Sequence, residues 1–355
     1  MKRHALATIA ASVALGILVT ACGGPPAQPN TPDPPLGPTT TPPAGTGTAK
    51  PEGPTAGPGD DITRGNAAVK AGDWNGARSA FEAAIKKNPK QPEGYFYLGV
   101  VMDQTGDKAA AEKNYKQALD LQPDLLDAAQ NLTAIYVDSQ RYDEAIVLAK
   151  KALARNAKDS GMQLNLAVGL SGKGDVDGAS RAFEDALKLA PNDARFYIAY
   201  ADHLRATRKN DEAIAKLRQA QRVAGDDPAL LGTIGLAFRD ARAVPDCIAA
   251  FDKAIAIKDN PDFRTIRALC KLGGKDRPGA LADLQNAAAA KDPPYAPAHY
   301  WLASMLHEDG KYPEAVAEYD AYLKAAPKGP MAKMAEAKLK LAKDKKKPEK
   351  PAPKK

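Results

Sequence analysis

The sequence predicts an all-α solenoid of about eight helix-turn-helix repeats, preceded by a disordered stalk and followed by a disordered tail. Three observations carry the prediction. Ala77, Ala111, Ala145, Ala179 and Ala213 stand 34 residues apart, and Cys247, another small residue, takes the next mark. Ala84, Ala118, Ala152, Ala186, Ala220 and Ala254 form a second ladder of the same period. Between the ladders run Phe81, Tyr115, Ala149, Phe183, Leu217 and Phe251. Small residues seven apart share one helix face and let a second helix approach closely.

Repeats are predicted to start near residues 58, 92, 126, 160, 194, 228, 261 and 296. Gly72, Gly106, Gly174 and Gly310 supply the backbone freedom to reverse the chain between paired helices. Pro89, Pro123, Pro191 and Pro327 end second helices, because proline lacks the N–H and its ring blocks propagation. The last two repeats drift, with Ala280 and Ala315 at spacings of 33 and 35, and DPPYAP at 292–297 lengthens a connection. Repeat three has Ala157 and repeat five Gly225 where proline is expected, and repeat eight has Tyr322 where alanine is expected. Repeat one lacks the aromatic of the first helix.

Repeat two reads Tyr95, Leu98 and Gly99 on its first helix, then Ala111, Tyr115 and Ala118 on its second, and closes with Pro123. This order and period resemble the tetratricopeptide repeat, TPR, one helical hairpin per 34 residues. The resemblance covers roughly three quarters of the chain and implies a right-handed superhelix over residues 61–328. Residues 329–344 read as a capping helix, with Met331, Met334, Ala335, Lys338, Leu339 and Leu341 in a loosely helical period.

The N-terminus predicts where the array works. A basic Met1 to His4 precedes an apolar run from Ala5 to Thr20, of signal-peptide length and short for a membrane span. VTAC at 19–22 resembles the lipobox of bacterial lipoproteins, which implies removal of residues 1–21 and lipidation of Cys22. The other reading is an ordinary secretory signal cut near Ala21. Several acyl chains would make the anchor effectively permanent. Gly23 stands where lipoproteins retained at the inner membrane usually have aspartate, so the resemblance implies an outer-membrane anchor facing the periplasm.

Residues 22–60 are rich in proline, glycine, threonine and alanine and cannot build a core. As polyproline II they reach up to roughly 100 Å, so they read either as a stalk toward a partner or as a plain tether. The tail at 345–355 is almost wholly lysine and proline. It reads either as a contact for anionic lipid or cell-wall polymers or as a solubilising end. From Lys328 onward the net charge is +8, which leaves a body of −3 in a mature chain of +5. A mildly acidic, exported array argues against nucleic acid as its ligand.

No catalytic constellation is legible. His203, His299 and His307 fall on repeat helices without an HExxH, and GKGDVDG at 172–178 follows a helix rather than a strand. No GxSxG occurs. The reading is therefore non-enzymatic, with no metal and no cofactor. Cys247 and Cys270 lie on adjacent predicted helices, either disulfide-paired in an oxidising compartment or packed as small hydrophobes.

TPR proteins commonly hold partners in a concave groove lined by first helices. The family's groove positions carry over to Glu93, Phe96, Val100 and Asp103; Gln130, Ala134 and Val137; Leu164, Val168 and Ser171; and Arg195, Ile198, Asp202 and Arg205. They continue with Leu236 and Arg239, then Tyr300, Ser304 and His307. The alternative is that these side chains pack within the array. An apolar groove with charged edges suits an amphipathic helix or extended hydrophobic segment.

The whole resembles a bacterial TPR outer-membrane lipoprotein, similar to type IV pilus secretin pilotins and to the TPR lipoprotein of gliding-motility machinery. The resemblance implies a scaffold that docks protein subunits of an envelope complex. The competing expectation is a structural lipoprotein that binds peptidoglycan through stalk and tail.

Overall fold

The computed structural model describes residues 58–290 and 295–346. The signal segment, Cys22, most of the linker and the tail from Lys347 lie outside the described residues. Among the described residues there are 17 helices and no strand. They fall into two compact units that divide between Leu189 and Ala190.

The first unit holds four hairpins: α1 (Pro58–Lys70) with α2 (Trp74–Lys87), α3 (Pro92–Gln104) with α4 (Lys108–Leu121), α5 (Leu126–Asp138) with α6 (Tyr142–Leu153), and α7 (Ser160–Lys173) with α8 (Val176–Leu189). The second holds α9 (Ala194–Ala206) with α10 (Asn210–Val223), α11 (Pro228–Asp240) with α12 (Val244–Ile257), α13 (Pro261–Gly273) with α14 (Arg277–Ala288), and α15 (Ala296–Glu308) with α16 (Tyr312–Ala325). The final helix, α17 (Ala332–Lys346), packs on α16. All eight first helices begin at the predicted repeat starts, the first six 34 residues apart and the last two at spacings of 33 and 35. At the margins, α1 opens at Pro58, inside the stretch read as linker, and α17 runs on to Lys346.

The punctuation is local chemistry. Pro92, Pro228 and Pro261 open their helices, where a missing N–H leaves no bond unmade. Asp73, Asp107 and Asp276 cap second helices by accepting from the backbone N–H of Gly76, Ala110 and Gly279. Pro89, Pro123, Pro191 and Pro327 each stand two residues past a second helix. Tyr95 and Tyr197 donate their hydroxyls to the carbonyls of Pro89 and Pro191, at 3.2 and 2.9 Å, tying a first helix back to the proline before it.

Between the paired helices one residue always takes the left-handed conformation. Gly72, Gly106, Gly174 and Gly310 do so with φ of 73°, 86°, 89° and 73°. In the other four repeats the same place is held by Gln140, Arg208, Arg242 and Lys275, with φ of 59° to 66°. The turn geometry is thus common to all eight repeats, although glycine marks only half of them.

The two alanine ladders are buried throughout, at 5 % exposure or less, and the bulky residues between them are equally buried. Small residues on the first helices receive those rings. A Cβ built on Gly65 would stand 2.3 Å from Phe81, and one on Gly235 would stand 2.5 Å from Phe251. In repeat three, where the ring shrinks to Ala149, the matching first-helix position carries the larger Thr133, fully buried with its hydroxyl donating to the Ala129 carbonyl at 2.6 Å. Volume is conserved across the seam, as close packing requires.

Cys247 on α12 and Cys270 on α13 are joined by a disulfide with a Cα–Cα distance of 6.3 Å. Both are buried, so the bridge ties repeats six and seven together within the core of the second unit.

Candidate partner-binding surface

The structure separates the predicted groove residues into open and closed sets. In the first unit Phe96, Val100 and Leu164 are half-buried, whereas Val137 and Val168 are buried, at 4 % and 2 % exposure. Phe96 belongs to an aromatic cluster, its ring 5.1 Å from Tyr97 and 6.1 Å from Tyr115, with Tyr97 stacked on Phe81. Gln130 is spent on structure: its side-chain amide donates to Asp159 at 3.0 Å, and its backbone carbonyl accepts from the Asn165 amide at 3.2 Å. Ala134 is exposed and Ser171 is buried. Glu93 is open, and Asp103 is paired with Lys108 at 2.5 Å.

In the second unit Ile198 is buried, Arg205 lies 3.6 Å from Asp202, Arg195 pairs with Asp193 at 2.6 Å, and Arg239 pairs with its neighbour Asp240 at 3.1 Å. Leu236 is half-buried. Tyr300 is a core residue, edge-on to Tyr319 and Tyr322 at 6.2 and 5.7 Å, and Ser304 shares a hydrogen bond with the Tyr319 hydroxyl at 3.3 Å. Val137, Val168, Ile198 and Tyr300 therefore do not stand open for a partner. Within each unit a first helix packs on its own second helix, on the second helix of the repeat before it and more lightly on neighbouring first helices, and this leaves it a narrower open stripe than four positions per repeat.

A surface that the sequence reading did not single out lies on the other side of the first unit. Between α4 and α6, over α5, a cleft of about 450 Å³ is lined by Leu119, Pro123, Leu132, Tyr136, Val147 and Leu148. Val147 is 67 % exposed, the most open large apolar side chain among the described residues. The signal was present in Ile146, Val147 and Leu148 running together on a helix whose packing ladder is met by Ala145, Ala149 and Ala152.

One end of this cleft is locked by charge. Arg141 donates to Glu112 at 2.7 Å and to Glu144 at 2.8 Å, and its guanidinium lies 4.4 Å over the Tyr136 ring. Lys116 joins at 2.6 Å from Glu112. The Arg141 and Lys116 hydrogen bonds outweigh partial burial and hold the Glu112 carboxyl below the usual range. At the other end Lys151 and Arg155 have no ion-pair partner among the described residues. The cleft thus offers an apolar floor whose lining carries two cations, Lys151 and Arg155, and one carboxylate, Asp120, that are unpaired among the described residues.

The second unit holds a buried ion network. Asp283, 3 % exposed, accepts from Arg267 at 2.8 and 2.5 Å and lies 2.8 Å from Lys271. Arg267 also reaches Asp252 at 2.7 Å. Burial pushes the Asp283 carboxyl up, but Arg267 and Lys271 together outweigh it and keep it below the ordinary carboxylate range. Every charge in this network has a partner, so it reads as a structural clasp between α13 and α14. Among the described residues no group of three His, Cys, Asp or Glu side chains is placed to hold a metal, and no helix is long and apolar enough to cross a membrane.

Tetratricopeptide-repeat models match residues 66–224 and 267–330, together more than half of the chain. This chain is a tetratricopeptide-repeat protein. TPR arrays serve typically as non-enzymatic scaffolds that bind protein partners. The chain is 27 % identical over 205 residues to cellulose synthase operon protein C of Xanthomonas axonopodis pv. citri, covering 56 % of this chain and 14 % of that one. It is 23 % identical over 216 residues to the peroxisomal targeting signal receptor of Candida albicans, covering 56 % and 34 %. The chain thus spans 14 % and 34 % of the length of these two relatives. Among solved structures, yeast Tom70 superposes with a TM-score of 0.55 at 17 % identity, over 84 % of this chain and 66 % of that one. A TPR protein from Parabacteroides merdae gives 0.48 at 17 %, over 65 % and 91 %.

Proposed function

We propose that this TPR protein is a non-enzymatic docking scaffold, anchored at the outer membrane through a lipidated Cys22 and facing the periplasm. It receives an apolar segment of a subunit of an envelope machine such as the gliding-motility or type IV pilus apparatus. The cleft between α4 and α6 carries the docking reading: an apolar floor, an open Val147, and charged side chains of both signs in the lining suit an amphipathic helix. The likeness to a targeting signal receptor supports segment binding as the mode. Anchoring is supported by the basic N-terminus, the apolar run and the VTAC box.

The test is a crosslinking pull-down from envelopes with wild type and Val147→Asp, each checked for helicity. Val147 is the better probe because Phe96 packs on Tyr97 and Tyr115, so a charge there disturbs the fold as well as the surface. A secretin or motility-complex subunit recovered with wild type and lost with Val147→Asp is the expected result. Equal recovery with both, or peptidoglycan alone, would overturn docking at the cleft and move the contact to stalk and tail.

A further inference from the structure

The outward face of α6 differs from its counterparts in the other repeats. Val147 stands two residues after the packing alanine Ala145 and is 67 % exposed. The position two after the packing alanine or cysteine is exposed in every second helix, and it holds Ser79, Lys113 and Arg181 in repeats one, two and four and alanine in repeats five to eight. Repeat three alone has a large apolar side chain there.

Charge sets the same face apart. Asp143 and Lys150 flank Val147 on one side, and Glu144 and Lys151 flank it on the other, all four exposed. Residues seven apart on an α-helix lie within about 20° of one another, so each flank runs from a carboxylate to an ammonium one heptad later. No other second helix has acid followed by base on both flanks. Lys150 and Lys151 have no ion-pair partner among the described residues. Asp143 is paired with Lys173 of α7 and Glu144 with Arg141, but the two carboxylates remain 77 % and 51 % exposed, and a carboxylate has room for a second cation. Counting Arg141, Lys116 and Lys173 against Glu112, Asp143 and Glu144, the first end of this face is neutral, whereas Lys150, Lys151 and Arg155 against Asp120 leave the other end positive.

We propose that α6 pairs antiparallel with α6 of a second copy of this chain, the two Val147 side chains meeting on the two-fold axis. Flanking charges set the orientation of paired helices. Antiparallel, each flank runs beside the same flank of the other copy in reverse, so Lys150 meets Asp143 and Lys151 meets Glu144, each contact made twice by symmetry. Parallel pairing would gather the unpaired lysines of both copies at one end, which repel. A foreign segment would have to reproduce this order of charges at this spacing, whereas a second copy carries it by construction. The pairing does not rest on the docking proposed above. Val147 also borders the cleft toward α4, so a second copy on α6 and a partner segment in the cleft compete for that side chain.

The experiment is sedimentation velocity of the purified full chain carrying Cys22→Ser, over a rising concentration series. A monomer–dimer equilibrium is expected. Lys150→Glu with Lys151→Glu makes all four flank positions acidic, and Asp143→Lys with Glu144→Lys makes all four basic. Each pair of changes should weaken dimerisation at least about tenfold, and an equimolar mixture of the two variants should restore it. Circular dichroism checks that both variants fold. Orientation is read by oxidative crosslinking: Cys247 and Cys270 are paired, so an introduced cysteine is the one free thiol. Val147→Cys should link to its own copy, whereas Ala154→Cys, separated from its counterpart by about 21 Å in the antiparallel pair, should not. A monomer at every concentration, a dimer untouched by either reversal, folded variants whose mixture stays monomeric, or equal crosslinking at 147 and 154 would each overturn the proposal. Because purified protein alone is used, the result stands apart from the envelope pull-down: partner loss there with the dimer intact here would count against docking only.

Discussion

A Cβ placed on Gly99 of α3 would stand 2.7 Å from Cε1 of Tyr115 on α4, closer than real side chains approach. The tyrosine ring is fully buried, and Asn131 of α5 donates to its hydroxyl at 3.2 Å, so it is held from the next repeat as well. Gly99→Ala is therefore expected to cost about 1–3 kcal/mol by overpacking. Tyr115→Leu in the same chain should return part of that loss. Urea unfolding of both single variants and the double variant checks the coupling, and strict additivity would show that the two residues do not share a seam.

Gln140, Arg208, Arg242 and Lys275 sit where the equivalent repeats have left-handed glycine. A non-glycine residue there costs roughly 1–2 kcal/mol, partly offset because glycine loses more freedom on folding. Each change to glycine should raise stability by up to about 1 kcal/mol, whereas Gly106→Ala should lower it by a similar amount. Thermal midpoints of Arg208→Gly and Gly106→Ala measure the two signs together.

The Cys247–Cys270 bridge spans 23 residues between two packed helices. Its removal by Cys247→Ala with Cys270→Ala is expected to cost roughly 2–4 kcal/mol. Alanine already fills the site of Cys247 in the seven other repeats, so little of that loss comes from packing. Mass spectrometry without reduction is the check, and a free thiol at either position would remove the bridge.

Asp283 contributes stability that depends on pH in a known direction. Its folded carboxyl titrates below the unfolded value near 3.9, so the contribution is complete above that value and is lost as pH falls through the depressed one. Asp283→Asn leaves Arg267 and Lys271 facing a neutral group and should cost on the order of 3–5 kcal/mol at neutral pH. The variant should also lose part of the acid dependence, read as a flatter plot of urea midpoint against pH below about 5. An unchanged slope would assign the acid sensitivity to other carboxylates.

The sequence by itself determined the repeat and its boundaries. Helix starts at Pro92, Pro228 and Pro261, caps at Asp73, Asp107 and Asp276, and stops before Pro89, Pro123, Pro191 and Pro327 are decided within a few residues of chain, where sterics and single hydrogen bonds act. The alanine ladders and the rings between them were legible for the same reason, since one helix face is a matter of spacing. Only the tertiary structure decided which first-helix residues remain open. Val137, Val168, Ile198 and Tyr300 are buried while Phe96, Val100, Leu164 and Leu236 keep an edge, because that outcome depends on the angle at which one hairpin settles on the next. The same angle opens the cleft beside Val147. It is set by the summed packing of side chains far apart in the chain, which no local pattern states.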